Sequence, residues 1–305
     1  MLTLKVYIEE SYMKLSAKNN YLSGISVIVN TLNDENDIGD MLNSISKSKP
    51  SQIIVVDGTS NDNTVKVAKE YTDEVYVIKK GISRQHIKAL EFVSYEYLLV
   101  LECDHRYPDS FIDNLYSEYI ESGYFGLQAT LECSLKRSFL EKGMALFYEI
   151  NQLKKGERAI ISGPSIWKTD EYIKIFNEPS KMQGFSNDTN KAETLKENNL
   201  RVGLGYTVAF QHQELDYKTF FRKYFYYGKG DYDFYETYKT QWTTKRKLKS
   251  IFHVFNRYIV DYPIKSFKIG KPYIAIPYLW ASAVVRYSGW AYSFLRSFRG
   301  VRHQK

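Results

Sequence analysis

The sequence is poor in cysteine and proline and has no long apolar run. It contains two cysteines, Cys103 and Cys133, and seven prolines among 305 residues. Two cysteines are too few for a disulfide framework or a four-thiolate zinc site, so a reducing compartment is expected. The best candidate for a membrane span, residues 272–285, has 14 uncharged residues, whereas a spanning helix needs about 20. We therefore expect this segment to be interfacial or buried.

Sequence signatures of several other protein classes are also missing. The start of the chain, MLTLKVYIEESY, includes two glutamates where a signal peptide needs an apolar core. The chain has neither the Gly-x-Gly-x-x-Gly pattern of dinucleotide-binding folds nor the Gly-x-x-x-x-Gly-Lys-[Ser/Thr] pattern of P-loop proteins. We therefore expect no secretory leader, and we do not expect a dinucleotide dehydrogenase or a P-loop phosphotransferase.

The net charge of +7 is distributed unevenly along the chain. From Lys218 to Lys305 there are 18 Lys and Arg against 4 Asp and Glu, a net charge of +14. Residues 1–217 carry 24 against 31, a net charge of −7. The sequence thus predicts an acidic body followed by a basic tail.

The first part of the chain alternates short β-branched runs with segments of helical periodicity. In the first of these helical segments, Ile38, Met41, Leu42 and Ile45 fall on one helix face. Apolar strands separated by helices indicate βαβ units and an α/β fold, with a mostly parallel sheet flanked by helices. The predicted strands are 25–29, 53–56, 75–78 and 97–101.

Polar and acidic residues follow these strands at their carboxyl ends, where parallel sheets bind ligands. Glu102 and Asp104 are two residues apart, which places both carboxylates on one side of an extended chain. Such oxygen ligands suit Mg²⁺ or Mn²⁺ shared with phosphate oxygens, although an acidic turn that caps the helix near Pro108 explains them too. His105 either joins this site or covers the strand end, and we favour the second interpretation. Cys103 is expected to point into the core.

Several motifs over residues 24–230 resemble, in order, those of the family 2 glycosyltransferases, which have the nucleotide-sugar-binding GT-A fold. ISVIVNTLNDE (25–35) resembles the first strand and donor-site turn, with Asn30 in place of the usual proline. IIVVDGTSNDNT (53–64) resembles the nucleotide motif, with Gly58 in place of its second aspartate. The resemblance implies a GT-A catalytic domain over 24–217 that binds a nucleotide-sugar donor.

Two further segments of the first half extend the resemblance. GISRQ (81–85) is similar to the segment whose arginine approaches the donor diphosphate, and LLVLECDHRYP (98–108) resembles the Asp-x-Asp metal motif, with Glu102 for its first aspartate. The resemblance implies a divalent cofactor, Mg²⁺ or Mn²⁺. The donor-binding residues that it implies are Thr31, Asn33, Glu35, Asp57, Arg84 and Glu102.

The second half carries the residues that the resemblance implies for catalysis. GFSNDTNKAETLKENNLRVGL (184–204) resembles the segment that holds the catalytic base of inverting members, and Asp188 matches that base. From the residues alone, the cap of a helix over 189–198 explains Asp188 equally well. His212 lies where many members place a histidine near the metal or the diphosphate, so the implied metal residues are Glu102, Asp104 and His212.

The tail, residues 218–305, is dense in aromatic and basic residues. A cationic stretch ending at Lys249 leads to residues 251–262, whose apolar side chains fall on one helical stripe of Ile251, Phe252, Phe255, Tyr258, Ile259 and Tyr262. Such a helix is typical of segments that lie in the plane of an anionic membrane; the alternative is a helix packed on the catalytic domain. We expect a protein peripheral to the cytoplasmic face of a membrane and no binding to nucleic acid. Residues 1–23 are interpreted as an N-terminal extension.

Together these features predict an inverting glycosyltransferase that transfers a sugar from a nucleotide-sugar donor to an acceptor hydroxyl. The acceptor is expected to be a lipid-linked or cell-surface glycan. Two alternatives remain open from the sequence: a soluble transferase with a protein or small-molecule acceptor, and a non-catalytic homologue that binds a sugar nucleotide.

Overall fold

The computed structural model describes residues 24–176 and 187–298. The predicted extension 1–23 lies outside the described residues, as do residues 184–186, with which the motif around Asp188 begins. The chain divides into two compact units: Met1–Thr130, Gly156–Asn177 and Leu200–Ala209 make one, and Leu131–Lys155, Glu178–Asn199 and Phe210–Lys305 make the other. The division therefore falls within two strands, Gly126–Cys133 and Val202–Gln211.

Strands and helices alternate through the first part of the chain, as predicted. In chain order the elements up to β9 are β1 (Ile25–Thr31), α1 (Ile38–Ser46), β2 (Gln52–Asp57), α2 (Thr64–Ala68), β3 (Val75–Val77), α3 (Ile82–Leu90), β4 (Tyr97–Glu102), β5 (His105–Arg106), α4 (Phe111–Ser122), β6 (Gly126–Cys133), α5 (Phe139–Asn151), β7 (Gly156–Arg158), β8 (Ser165–Lys168), α6 (Thr169–Phe176), α7 (Asn187–Glu197) and β9 (Val202–Gln211).

The apolar residues that the sequence predicts on one face of the first helix lie in the core of the first unit. Ile38, Met41, Leu42 and Ile45 are all fully buried on the inner face of α1, as their helical spacing requires. The strands β1 and β2 are buried along most of their length, as expected for strands covered on both faces. Cys103 is also buried, as predicted.

The sheet has a parallel half and an antiparallel half. Strand β1 lies between β2 and β4 and is parallel to both, and β3 adds to β2 in the same sense. On the other side, β8 pairs antiparallel with β4, and β6 pairs antiparallel with β8. The strand order is β3-β2-β1-β4-β8-β6-β9-β5, with β7 antiparallel to β9. The predicted parallel arrangement therefore holds for the first four strands, and the later strands complete a mixed sheet.

The register brings the predicted functional loops to one edge of the sheet. Thr31 at the end of β1 is aligned with Asp57 at the end of β2, and Asn30 is aligned with Glu102 at the end of β4. Because the three strands are parallel, their carboxyl ends share this edge.

Long helices form most of the second unit after β9. They are α8 (Tyr217–Tyr238), α9 (Thr244–Ile251), a π-helical segment (Phe255–Asp261), α10 (Tyr262–Lys268) and α11 (Pro272–Phe298). Within residues 24–176 and 187–298, no helix combines the length and the apolar character that crossing a bilayer requires.

The single apolar stripe predicted over residues 251–262 is wrong. Tyr258 and Tyr262 are buried, and both rings contact Phe147 of α5. Phe252 and Phe255 are exposed instead. The π-helical segment explains the difference, because its i→i+5 hydrogen bonds put one more residue into each turn than an α-helix has. A stripe drawn at α-helical spacing therefore separates into an inner and an outer face.

A close crossing of α8 and α11 organises the core of the second unit. A Cβ atom on Gly228 would overlap the carbonyl oxygen of Arg286, and one on Gly289 would overlap that of Phe225. The two glycines therefore allow the helix backbones to touch. The core beside the crossing includes Tyr224 and Tyr278, whose hydroxyl groups are 2.9 Å apart.

An ion pair links the same two helices. The guanidinium of Arg286 in α11 donates to both carboxylate oxygens of Asp231 in α8, at 2.5 and 2.7 Å, and His253 lies 3.4 Å from that carboxylate. Burial opposes ionisation of Asp231, but Arg286 and His253 outweigh it and lower the pKa of Asp231 to about 2. Arg286 is thus neutralised inside the unit.

The Gly228→Ala substitution tests the crossing. Helix propensity alone favours alanine by about 1 kcal/mol, whereas overpacking at a backbone contact costs about 1–3 kcal/mol. We expect a net loss in the free energy of unfolding, measured by urea denaturation. Gly24→Ala is the control, because a Cβ at Gly24 meets no atom within 4 Å. Stabilisation by Gly228→Ala would contradict the crossing.

Candidate active site

The loop after β1 is closed by the Asp34 carboxylate. Its Oδ2 atom accepts hydrogen bonds from the Thr31 hydroxyl (2.8 Å) and from the Leu32 backbone N–H (3.0 Å). Burial raises the pKa of Asp34 above its ordinary value, and the negative charge of Asp104 adds to that rise. Asp34 therefore lies within electrostatic range of the acidic motif after β4. Asp34 is not among the site residues predicted from the sequence.

The loop after β2 is fastened to the loop after β1. The backbone N–H of Gly58 donates to the carbonyl of Thr31 (2.9 Å), and that of Asn33 donates to the Ser60 hydroxyl (2.8 Å). The Asn33 side chain accepts from the backbone of Asn61 (2.9 Å). Because each loop supplies both donors and acceptors, the two loops form one unit at the edge of the sheet.

Asp57 and Glu35 complete this double loop. The buried Asp57 carboxylate accepts from the backbone N–H of Ser60 at 2.8 Å and from the Ser60 hydroxyl. Glu35 accepts from the backbone and the side-chain amide of Asn63, both at 2.9 Å. The structure thus brings together four of the predicted donor-binding residues, which are Thr31, Asn33, Glu35 and Asp57.

Gln85 of α3 supports the double loop from inside. Its side-chain amide donates to the carbonyls of Thr31 and Val56, both at 2.9 Å. A Cβ on Gly58 would lie 2.9 Å from the Gln85 Oε1 atom. The glycine at this position of the motif therefore makes room for Gln85. No sequence pattern marks Gln85 as part of the site.

Arg84 lies in the first turn of α3, the helix that follows β3. Its guanidinium donates to the carbonyl oxygens of Lys80 (3.0 Å) and Lys79 (3.4 Å), and the side chain is exposed. Its predicted contact with the donor diphosphate stays a prediction.

The carboxylates of Glu102 and Asp104 meet His105. The Nδ1 atom of His105 lies 2.9 Å from Asp104 and 3.4 Å from Glu102, and one ligand atom from each of the three residues lies within 4.8 Å of the others. The ring of His105 is buried, whereas both carboxylates are partly exposed. His105 therefore joins the acidic pair, and the interpretation favoured from the sequence, in which it only covers the strand end, is incomplete.

Arg106 and Tyr107 hold the turn that carries this cluster. Arg106 donates to the carbonyl oxygens of Cys103 and His105, both at 3.2 Å, and to the carboxylate of Asp37, the residue before α1, at 2.8 Å. The Tyr107 hydroxyl lies 3.1 Å from the Glu102 backbone nitrogen. These contacts give the short turn after β4 a defined conformation.

The composition of this cluster fits a divalent cation. Two carboxylates supply the oxygen ligands that Mg²⁺ and Mn²⁺ prefer, and an imidazole is compatible with Mn²⁺. The exposed sides of Glu102 and Asp104 leave room for ligands from a bound phosphate. Among the residues that the structure describes, Glu102, Asp104 and His105 are the group with metal-ligand spacing.

In the second unit, Asp188 lies in the first turn of α7. The sequence predicted that Asp188 precedes the helix. The helix begins at Asn187 instead, so Asp188 lies inside it. Burial raises the pKa of Asp188, against the opposing effect of Lys191 one turn later. Tyr227 of α8 lies within electrostatic range of this carboxylate. A carboxylate with a raised pKa is a better proton acceptor than a surface carboxylate with an ordinary pKa.

His212 follows β9 and is oriented by Ser134. Its Nδ1 atom lies 2.8 Å from the Ser134 hydroxyl, which itself donates to the carbonyl of Gln211 at 3.0 Å. If the hydroxyl proton of Ser134 stays on Gln211, the histidine donates through Nδ1, and its Nε2 atom then carries the lone pair with which a histidine binds a metal. The role of His212 stays a prediction.

An ion pair anchors α7 within the second unit. Arg246 of α9 contacts the Glu193 carboxylate, whose side chain is 13% exposed. The same guanidinium lies 4.3 Å from the ring centre of Trp242. Lys196 lies farther from Glu193, at 3.7 Å, and is largely exposed. Arg246 is therefore the main partner of the helix that carries Asp188.

Residues 26–167 match the family described as glycosyl transferase family 2. The resemblance predicted from the motifs is thus confirmed over this range. Among curated proteins, none has a sequence that matches this chain significantly.

Solved structures share the fold. TarS from S. aureus is 16% identical, with a TM-score of 0.50 over 78% of this chain and 44% of TarS. Mannosyl-3-phosphoglycerate synthase from Rubrobacter xylanophilus is 14% identical, with a TM-score of 0.50 over 71% of this chain and 75% of that chain. This chain therefore spans less than half the length of TarS. At such identities the likeness is one of fold.

Glucosyl-3-phosphoglycerate synthase from Mycobacterium tuberculosis, solved with Mn²⁺ and UDP-glucose, is a further similar structure. It is 16% identical, with a TM-score of 0.48 over 64% of this chain and 73% of that chain.

The anchor of α7 is tested by Glu193→Gln. Loss of the charge leaves Arg246 poorly paired, at a cost of about 1–3 kcal/mol in the free energy of unfolding. Lys196→Gln removes only an exposed pair and should cost less than about 1 kcal/mol. Urea denaturation of both variants measures the difference. Equal effects would show that Arg246 does not anchor the helix.

Proposed function

Since residues 26–167 belong to glycosyltransferase family 2, we propose that this protein is an inverting glycosyltransferase that uses a nucleotide-sugar donor. The cluster of Glu102, Asp104 and His105 carries the proposal, because it stands at the carboxyl edge of the parallel strands beside the fastened double loop. An acidic crevice can hold a diphosphate only with a cation between the two.

The double loop is the proposed binding site for the nucleoside. Its exposed face presents hydroxyl, amide and carboxylate groups, which are suited to the hydrogen-bonding edges of a base and a ribose. Asp57 and Thr31 are buried and committed to loop contacts, so they shape the site. Asn33 is exposed and is available to the donor. Arg84 is proposed to turn from its carbonyl partners toward the diphosphate.

Glu102 and Asp104 are the proposed ligands of Mg²⁺ or Mn²⁺, with His105 as a nitrogen donor. The motif resemblance alone supports a role for His212. A divalent ion held there would neutralise the charge that develops on the departing nucleoside diphosphate. Arg106 keeps the two carboxylates in place through the turn that it braces.

Asp188 is the proposed general base. Its carboxylate would take the proton from an acceptor hydroxyl as the oxygen attacks the anomeric carbon and the bond to the diphosphate breaks. A single displacement from the opposite face inverts the configuration at that carbon. General base catalysis of this kind contributes about 10²–10⁴-fold in rate.

The proposed acceptor is a hydroxyl of a lipid-linked or cell-surface glycan. The basic tail supports this choice, because its net charge of +14 favours an anionic membrane surface, where such acceptors are anchored. We accordingly propose that the protein works on the cytoplasmic face of a membrane as a peripheral protein.

The Asp188→Asn substitution tests the base. We expect the rate of transfer to fall by about 10²–10⁴-fold, while calorimetry shows that the variant still binds the donor. For the parent protein, NMR should show a product of inverted anomeric configuration. Asp170→Asn is the matched control, since Asp170 is also the second residue of its helix. Normal turnover by Asp188→Asn would contradict the assignment.

The pH dependence of transfer supplies a second readout of Asp188. The base must be ionised, and its pKa is raised by burial, so the rate should fall on acidification at a pH above the ordinary aspartate pKa of about 4. A rate that falls only below that value would contradict the raised pKa.

The metal site is tested by binding alone. We expect Asp104→Asn to weaken Mn²⁺ binding, measured by calorimetry, by at least about tenfold. Asp109→Asn is the control, because Asp109 is close in sequence and highly exposed. Equal affinity in the two variants would exclude Asp104 as a ligand.

A further inference from the structure

The outer face of residues 245–273 is apolar, although it faces solvent. Phe267 and Ile264 of α10 are 66% and 60% exposed, and Tyr273 at the start of α11 is 72% exposed. The large exposed apolar side chains of this stretch, hereafter the basic apolar face, are Leu248, Phe252, Phe255, Val260, Ile264, Phe267 and Tyr273. A soluble surface rarely groups so many large apolar side chains without a partner.

The π-helical segment separates exposed from buried side chains in the middle of this stretch. Phe255 and Val260 are five residues apart and both exposed, whereas Tyr258 and Tyr262 of the same stretch are buried against α5. The spacing of five matches the i→i+5 pattern of the segment. The inner face is thus occupied by the core of the unit, and the outer face is free for another contact.

Exposed lysines precede and follow the apolar side chains of this face along the chain. Lys245 and Lys249 of α9 are exposed, as are Lys268 and Lys271 at the turn into α11. From Lys245 to Phe298 the chain has one acidic residue, Asp261, and Lys265 pairs with it at 2.6 Å. The segment that carries the apolar side chains therefore has a net positive charge.

Helix α11 adds no acidic residue to this balance. Between Pro272 and Leu295 the one charged residue is Arg286, which is turned inward to Asp231. Val284 and Trp280 are exposed there, at 70% and 50%. No described acidic side chain of this helix would oppose an anionic partner.

We propose that the basic apolar face docks in the plane of an anionic lipid bilayer, with its aromatic and aliphatic side chains among the headgroups and its lysines on the phosphates. Amphipathic segments with aromatic residues on one side and Lys at the border bind membranes in this way. The inference deepens the membrane association proposed above and rests on it. The proposed membrane-binding surface is the basic apolar face and not the stripe that the sequence predicted over residues 251–262.

Charge decides between a membrane and a second copy of this chain. A two-fold interface would bring the same patch together from both subunits, and the lysines of each would then face those of the other. Like charges at such short distance oppose association. An anionic bilayer complements both features of the face.

Vesicle flotation of the full chain tests the docking, without donor or acceptor. We expect binding to phosphatidylcholine vesicles that contain phosphatidylglycerol, little binding to phosphatidylcholine alone, and weaker binding at high salt because ions screen the lysines. Absence of binding to the anionic vesicles at low salt would overturn the proposal.

Two sets of variants locate the surface. Phe255→Ser with Phe267→Ser should reduce partitioning by at least about tenfold, and Lys268→Gln with Lys271→Gln should weaken binding and flatten its salt dependence. The control is Ile120→Ser with Tyr206→Ser, which removes exposed apolar side chains from the first unit. Unfolding curves confirm that each variant is folded. Equal binding by the first pair and the control would overturn the location.

Sedimentation velocity without vesicles tests whether a second copy of this chain binds the basic apolar face instead of a membrane. We expect a monomer over the whole concentration range. A dimer that the Phe255→Ser and Phe267→Ser pair dissociates would overturn the proposal in favour of a second copy. Since flotation requires no turnover, a protein that binds vesicles but transfers no sugar would contradict the transferase and leave the docking intact.

Discussion

The parallel register of β1 with β2 and β4 is the constraint on which the candidate site depends. It aligns Thr31 with Asp57 and Asn30 with Glu102, so that three loops with different chemistry begin at one edge. A slip of one residue would turn every side chain of a strand to the opposite face and separate the carboxylates from the double loop. Backbone pairing therefore sets the position of the site, and side chains such as Gln85 only stabilise it.

The sequence predicts this edge well because its signals are local. Continuous apolar runs mark the strands, and the spacing of Ile38, Met41, Leu42 and Ile45 marks the helix that covers them. The side chains within the turns could not be predicted in the same way. Whether His105 turns toward the acidic pair, or Asp34 folds back on Thr31, depends on backbone angles that a residue pattern does not specify. Gly58 is a related case, because the reason for its small size is a side chain 27 residues later.

The second unit was harder to predict because its organising features are not periodic. One π-helical segment changes which residues share a face, and a stripe drawn at α-helical spacing then mixes buried Tyr258 with exposed Phe255. The contact of Gly228 with α11 is equally hidden, since a glycine within a helix ordinarily signals weak helical propensity. Here the missing side chain allows two backbones to touch. Both features become visible only when the partner helix is known.

The charge of the tail is distributed by the same packing. Two arginines form ion pairs with acidic side chains of other helices: Arg286 with Asp231, and Arg246 with Glu193. These ion pairs link the helices. Other basic residues of the tail, among them Lys245, Lys249, Lys268 and Lys271, are exposed, so part of the tail's net charge of +14 lies at the surface of the unit. At the proposed bilayer, the exposed lysines would add electrostatic attraction to the burial of the apolar side chains, which an apolar face alone could not supply.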